Sequence, residues 1–168
     1  MLDPTSLIDQ AERLLDGTPT EADVRRAVSA AYYALFNLLT SAAADPRAVL
    51  NNPELVSRVR RTMEHRGLRK VCEAFQAASS TPPKGFDGMV ALPISPKLIA
   101  IAKTFSRLQD DRYQADYDLN TPPNYADAKR DIRLVRQAFQ DWSEIGMEPN
   151  TQVFLTALLV SDRWTRRG

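Results

Sequence analysis

The stretch "TPTEADVRRAVSAAYYALFNLLTSAAADP", residues 18–46, decides the fold. Thr20 stands where a helix N-cap is wanted, and Asp23 follows three residues later, the spacing at which side chain and backbone cap each other reciprocally. An alanine-rich apolar run then continues without glycine or proline up to Pro46. The pattern predicts one long helix that ends before that proline.

Working outward, "DPTSLIDQAERLLDG" (3–17) opens on an acid-proline pair suited to a helix entry and closes at Gly17. Leu7, Leu14 and Leu15 supply its apolar stripe. On the other side, Pro53 predicts a short helix through Met63, a bend at Gly67, and a continuation over "LRKVCEAFQAAS" (68–79). "STPPKGFDGMVALPIS" (80–95) holds Pro82, Pro83, Pro93, Gly85 and Gly88, which reads as a long loop. Three further helical patterns follow: "SPKLIAIAKTFSRLQDDRYQADYDL" (95–119), "NYADAKRDIRLVRQAFQDWSEIG" (124–146) with Asn124 as N-cap, and "NTQVFLTALLVSDRW" (150–164). No alternation of strand type is present, so the expected fold is all-α, a single-domain antiparallel helical bundle of six or seven helices. Residues 1–147 form its body. Residues 148–168 form a C-terminal helix and basic tail packed on it or extending from it.

The composition limits what such a bundle can do. At 168 residues and 43% apolar content the chain can bury a real core. Its 22 basic and 21 acidic residues nearly cancel, so attraction to a polyanion has to come from local clustering. One cysteine, Cys72, and one histidine, His65, leave no intrachain disulfide and no Cys/His zinc site. No cofactor is expected. The first residues lack a signal-peptide pattern and no stretch is long and apolar enough to cross a membrane, so the expected setting is soluble and cytoplasmic.

Two helical patterns carry polar residues where a bundle should be dry. Arg26, Ala30, Tyr33 and Asn37 share one face of the long helix. In the 95–119 segment the apolar seam Leu98, Ala102, Phe105 and Leu108 runs into Arg112, Ala115 and Asp116. Asp116 has two candidate partners, Arg112 four residues earlier and Arg26 on the neighbouring helix. Two readings stay open: a salt-bridge network that fixes helix register, or a pocket of Arg26, Tyr33, Arg112, Asp116 and Tyr117 that receives a phosphate or a base.

Here the sequence resembles a known superfamily. "RRAVSAAYYALFNLL" (25–39) is similar to the second-helix signature of HEPN proteins, "LQDDRYQADYDL" (108–119) to their later-helix signature, and "RRTMEHRGLRKVCEAF" (60–75) to a histidine-glycine segment of one bacterial branch. The likeness spans about residues 5–145. It implies a helical bundle that commonly forms a homodimer, often in a toxin–antitoxin or defence pair with a cognate antitoxin or a nucleotidyltransferase partner. Many members are metal-independent endoribonucleases that use an arginine and a later histidine separated by four to six residues; others bind nucleotides or partners without catalysis.

Arg60 and His65 have that spacing, and Arg61 offers a shorter alternative, whereas no histidine follows Arg112. Metal-free RNA cleavage needs a group to accept the 2′-hydroxyl proton and a cation for the phosphorane, so His65 with Arg60 or Arg61 is the candidate catalytic set. His65 can equally contact nucleic acid, or cap a helix end beside Gly67. "RVRRTMEHRGLRK" (58–70) reads as a phosphate-binding patch or a solvated face, with Arg58, Arg61 and His65 on one side. Arg163, Arg166 and Arg167 around Trp164 add a second basic cluster, and Cys72 is expected in the core. Two functions follow: an RNA- or nucleotide-binding protein that is an endoribonuclease toxin, or a non-catalytic partner-binding protein whose Arg/Tyr/Asp cluster is structural.

Overall fold

The computed structural model describes residues 3–44, 53–78 and 80–164, and places among them seven helices and no strands. These are α1 (Pro4–Leu14), α2 (Glu21–Ala43), α3 (Pro53–Thr62), α4 (His65–Gln76), α5 (Pro96–Tyr117), α6 (Tyr125–Ile145) and α7 (Pro149–Trp164). They form the expected helical bundle. None of the described helices is long and apolar enough to cross a membrane. The side chains of Arg163, Trp164, Arg166 and Arg167 lie outside the described residues.

The helix starts follow the sequence signals closely. Asp3 caps α1 by accepting from the Thr5 amide at 2.9 Å, with Pro4 as first residue. Thr20 and Asp23 close the reciprocal box at α2: the Thr20 amide donates to Asp23 Oδ2 at 2.9 Å and the Asp23 amide to Thr20 Oγ1 at 3.3 Å. Asn124 accepts from the amides of Ala126 and Asp127 at α6. Gly17, just past α1, has φ +67°, a left-handed conformation that favours glycine.

Helix α2 packs against α1, α5, α6 and α7. Ala27, Ala31 and Ala34 are fully buried on it beside Leu35 and Leu39, and such small residues let neighbouring helices come close. Along α4, Leu68, Val71, Cys72 and Phe75 give one buried stripe. Phe75 then meets Phe86 and Phe154 edge-on, each at 5.1 Å between ring centroids, joining α4, the long loop and α7. The loop over 80–95 is thereby packed down: Phe86 and Ile94 are buried, and Asn150 of α7 pairs with both backbone groups of Ala91.

Two expectations change. The buried edge of α1 is Ile8, Ala11 and Leu15, with Leu7 and Leu14 only half-buried beside it. The break in the basic segment falls at Met63–Glu64, where Glu64 is extended (φ −94°, ψ 142°), and not at Gly67, which is buried inside α4. Burial of Leu68, Val71, Cys72 and Phe75 outweighs the roughly 1 kcal/mol that glycine costs a helix interior. His65 therefore begins a helix, which overturns its reading as a C-terminal cap, and Arg58 and Arg61 lie on a different helix from it.

Candidate functional site

The α2 face predicted from spacing is an open groove. Arg26, Ala30, Tyr33 and Asn37 line a hollow of about 490 Å³ together with Ser29 and, from α5, Asp116. Asp116 is fixed from both sides: Arg112 Nε donates to Oδ2 at 2.8 Å, and Ser29 Oγ donates to Oδ1 at 2.5 Å. Asp116 thus pairs with Arg112, four residues away, and leaves Arg26 exposed and without a carboxylate partner among the described residues. The Arg112 guanidinium carbon lies 5.2 Å from the Tyr33 ring centroid and 5.4 Å from that of Tyr32, so the cation rests on two aromatic faces.

The same aromatic floor holds His65. Its ring stacks on Phe36 at 4.4 Å, faces the edge of Tyr33 at 6.0 Å, and places Nδ1 2.5 Å from the Tyr32 hydroxyl. Tyr32 is fully buried, and that burial pushes its phenol pKa upward, so the hydroxyl keeps its proton. With the hydroxyl as donor to Nδ1, the imidazole proton sits on Nε2. Burial, and then the nearby charge of Arg112, hold the His65 pKa below its ordinary value. At neutral pH His65 is accordingly an uncharged ring offering an N–H donor.

Arg60 reaches the far end of the groove. Its Nη2 donates to Asn37 Oδ1 at 2.8 Å, and Phe36, Asn37, Thr40, Arg60, Arg61 and Met63 line a second hollow of about 330 Å³. Asn37 lines both hollows, so they adjoin along α2. The guanidinium whose charge acts on His65 is that of Arg112 on α5, while Arg60, five residues before the histidine, is bonded to Asn37.

Arg26, Tyr33 and Asp116 line one hollow; Arg112 and His65 do not line it but adjoin it, Arg112 through Asp116 and Tyr33 and His65 through the Tyr33 ring. Tyr117 is not among them: it is 64% exposed on the outer side of α5, its ring 5.0 Å from that of Tyr113. The helical register explains this, since Tyr117 lies one residue beyond Asp116 and so points about 100° away. Cys72 is fully buried and its thiol pKa is pushed up by that burial, which makes it a core residue. Sequence reasoning missed Tyr32. The available signal was a tyrosine on the same stripe as Val28, Leu35 and Leu39, because a tyrosine in a core needs a partner for its hydroxyl.

Chemically, the region offers an arginine steadied by a carboxylate and two rings, a neutral histidine beside them, and an exposed arginine lining the groove. These suit an anion and a flat ring. No protein family, curated protein or solved structure matches this chain.

Proposed function

We propose that this chain is a HEPN-like RNA- or nucleotide-binding protein. In this reading Arg26 and Arg112 take phosphate oxygens, Tyr33 stacks on a base, and His65 Nε2–H donates to the ligand. The convergence of Arg112 and His65 on the rings of Tyr32, Tyr33 and Phe36 carries the proposal. The resemblance adds a homodimer and a role in a toxin–antitoxin or defence pair beside an antitoxin or nucleotidyltransferase, and the sequence pattern adds a cytoplasmic setting. The test is anisotropy of labelled oligoribonucleotides and nucleotides at low salt. Arg112→Gln should weaken binding about tenfold or more, as expected for losing a charge-assisted phosphate contact of roughly 1–3 kcal/mol. An affinity indifferent to Arg112 and Arg26 would refute the assignment.

The second reading is a metal-independent endoribonuclease, and the neutral state of His65 beside a guanidinium favours it. A Tyr32 hydroxyl donating to Nδ1 opposes it, because a general base needs a free lone pair and that donation occupies the one on Nδ1. We therefore rank binding first. RNA incubated with EDTA decides between them: cleavage lost in His65→Ala establishes the nuclease, and intact RNA with retained binding establishes the binder.

A further inference from the structure

Away from that groove, α5 and α6 share a buried acidic contact that the proposed function does not use. Asp131 of α6 is 1% exposed, and Asp111 of α5 is half-buried beside it. One guanidinium serves both: Arg107 Nε lies 3.3 Å from Asp111 Oδ2 and 3.3 Å from Asp131 Oδ1. Oδ2 of Asp111 and Oδ2 of Asp131 are both buried and accept no hydrogen bond. Both residues line a cavity of about 180 Å³ between α2, α5 and α6.

The surrounding charges relieve them only in part, Arg107 being shared between the two. On α6, Arg130 donates its Nη1 to Asp127 at 2.6 Å and approaches Asp131 Oδ1 only to 3.7 Å. On α5, Asp110 is held by Arg69 of α4. From α2, Arg25 lines the cavity but is engaged with Glu21 and the carbonyls of Ala115, Asp118 and Thr121. Asp118, in the connection from α5 to α6, adds another carboxylate to the lining. Among the described residues no group of three acidic, histidine or cysteine side chains is placed to hold a metal ion. Buried carboxylate oxygens that accept no hydrogen bond are costly, and two carboxyls served by one guanidinium can supply the missing bond to each other if one of them carries a hydrogen atom.

We propose that Asp111 and Asp131 hold a single proton between them, and that this shared proton latches the C-terminal half of α5 to the start of α6. Burial and the facing carboxylate push Asp131 up to about 7 and raise Asp111 as well, in keeping with two coupled carboxyls. An unfolded aspartate titrates at about 3.9. The folded chain therefore binds one more proton than the unfolded chain between roughly pH 4 and pH 7, so the latch is complete at acid pH and its contribution is lost as pH rises through the folded value. The end of α5 that it secures is the one carrying Arg112 and Asp116.

Urea unfolding of the full chain from pH 5 to pH 9, compared with Asp131→Asn, tests this. One extra native proton makes the wild-type unfolding constant, relative to the variant's, climb about tenfold per pH unit and level off above about 7. A ratio constant across that range overturns the proposal. Should the variant not fold, ¹³C carboxyl resonances of the wild type decide: a carboxyl titrating near neutrality supports the shared proton, and both titrating below pH 5 overturns it.

Discussion

Tyr32→Phe isolates one atom of the candidate site. The ring is fully buried, packed 5.5 Å from Phe105 and 6.1 Å from Phe36 between centroids, and phenylalanine preserves those contacts. What is lost is the 2.5 Å bond to His65 Nδ1. A neutral hydrogen bond contributes about 0.5–1.5 kcal/mol net, and His65 is half-buried, so water can reach part of the vacated position. The expected cost is about 1 kcal/mol, or a Tm lowered by roughly 2–4 °C in a domain of this size. Because a hydroxyl that donates to Nδ1 favours the neutral ring, its removal also raises the His65 pKa. His65 is the only histidine in the sequence, so ¹⁵N and ¹H NMR report it without assignment ambiguity. The wild-type ring should titrate below 6.5 as the Nε2–H tautomer, and Tyr32→Phe should move it upward; Tyr33→Phe is the control. A wild-type ring protonated at Nδ1 in its neutral form, or a pKa unmoved by Tyr32→Phe, would refute the reasoning.

The lowered His65 pKa also sets a pH dependence: just below 6.5 the unfolded chain binds more protons than the folded one, so this group's contribution to stability falls as pH drops from 6.5 through the folded value, measurable as the difference between wild type and His65→Gln in urea titrations at pH 5 and 7. Thr20→Ala removes the cap that starts α2 and should cost about 1 kcal/mol in the same assay. Phe105→Ala opens a cavity in the fully buried centre of α5 and should cost roughly 3–5 kcal/mol, read as a lower midpoint with an unchanged denaturant slope.

The helices that the sequence announces most clearly are those with polar signals at their ends. Thr20, Asp23, Asn124 and the Asp3–Pro4 pair act locally, within a few residues, and local hydrogen bonding is what a linear reading captures. The break at Glu64 is different in kind. Gly67 is the stronger local breaker, but burial of the α4 stripe against α5 and α7 moves the break three residues earlier, and that packing is tertiary. The groove divides along the same line. Arg26, Tyr33 and Asn37 fall on one face by helical spacing alone, and Arg112 with Asp116 by their separation of four. The approach of His65 to Tyr32 crosses 33 residues, and its neighbour Arg112 sits 47 positions further on, distances that no spacing rule spans. Spacing suggested Arg60 as the partner of His65; the fold gives Arg60 to Asn37.

The most direct test of the proposed site follows the His65 ring resonance while an oligoribonucleotide is titrated into the full-length chain at low salt. A ligand held by Arg112 and Tyr33 lies against the imidazole, so the resonance should shift saturably, with an affinity that parallels anisotropy and weakens about tenfold in Arg112→Gln. RNA that binds while His65 stays still would place recognition elsewhere on the bundle, and no binding at all would contradict the account.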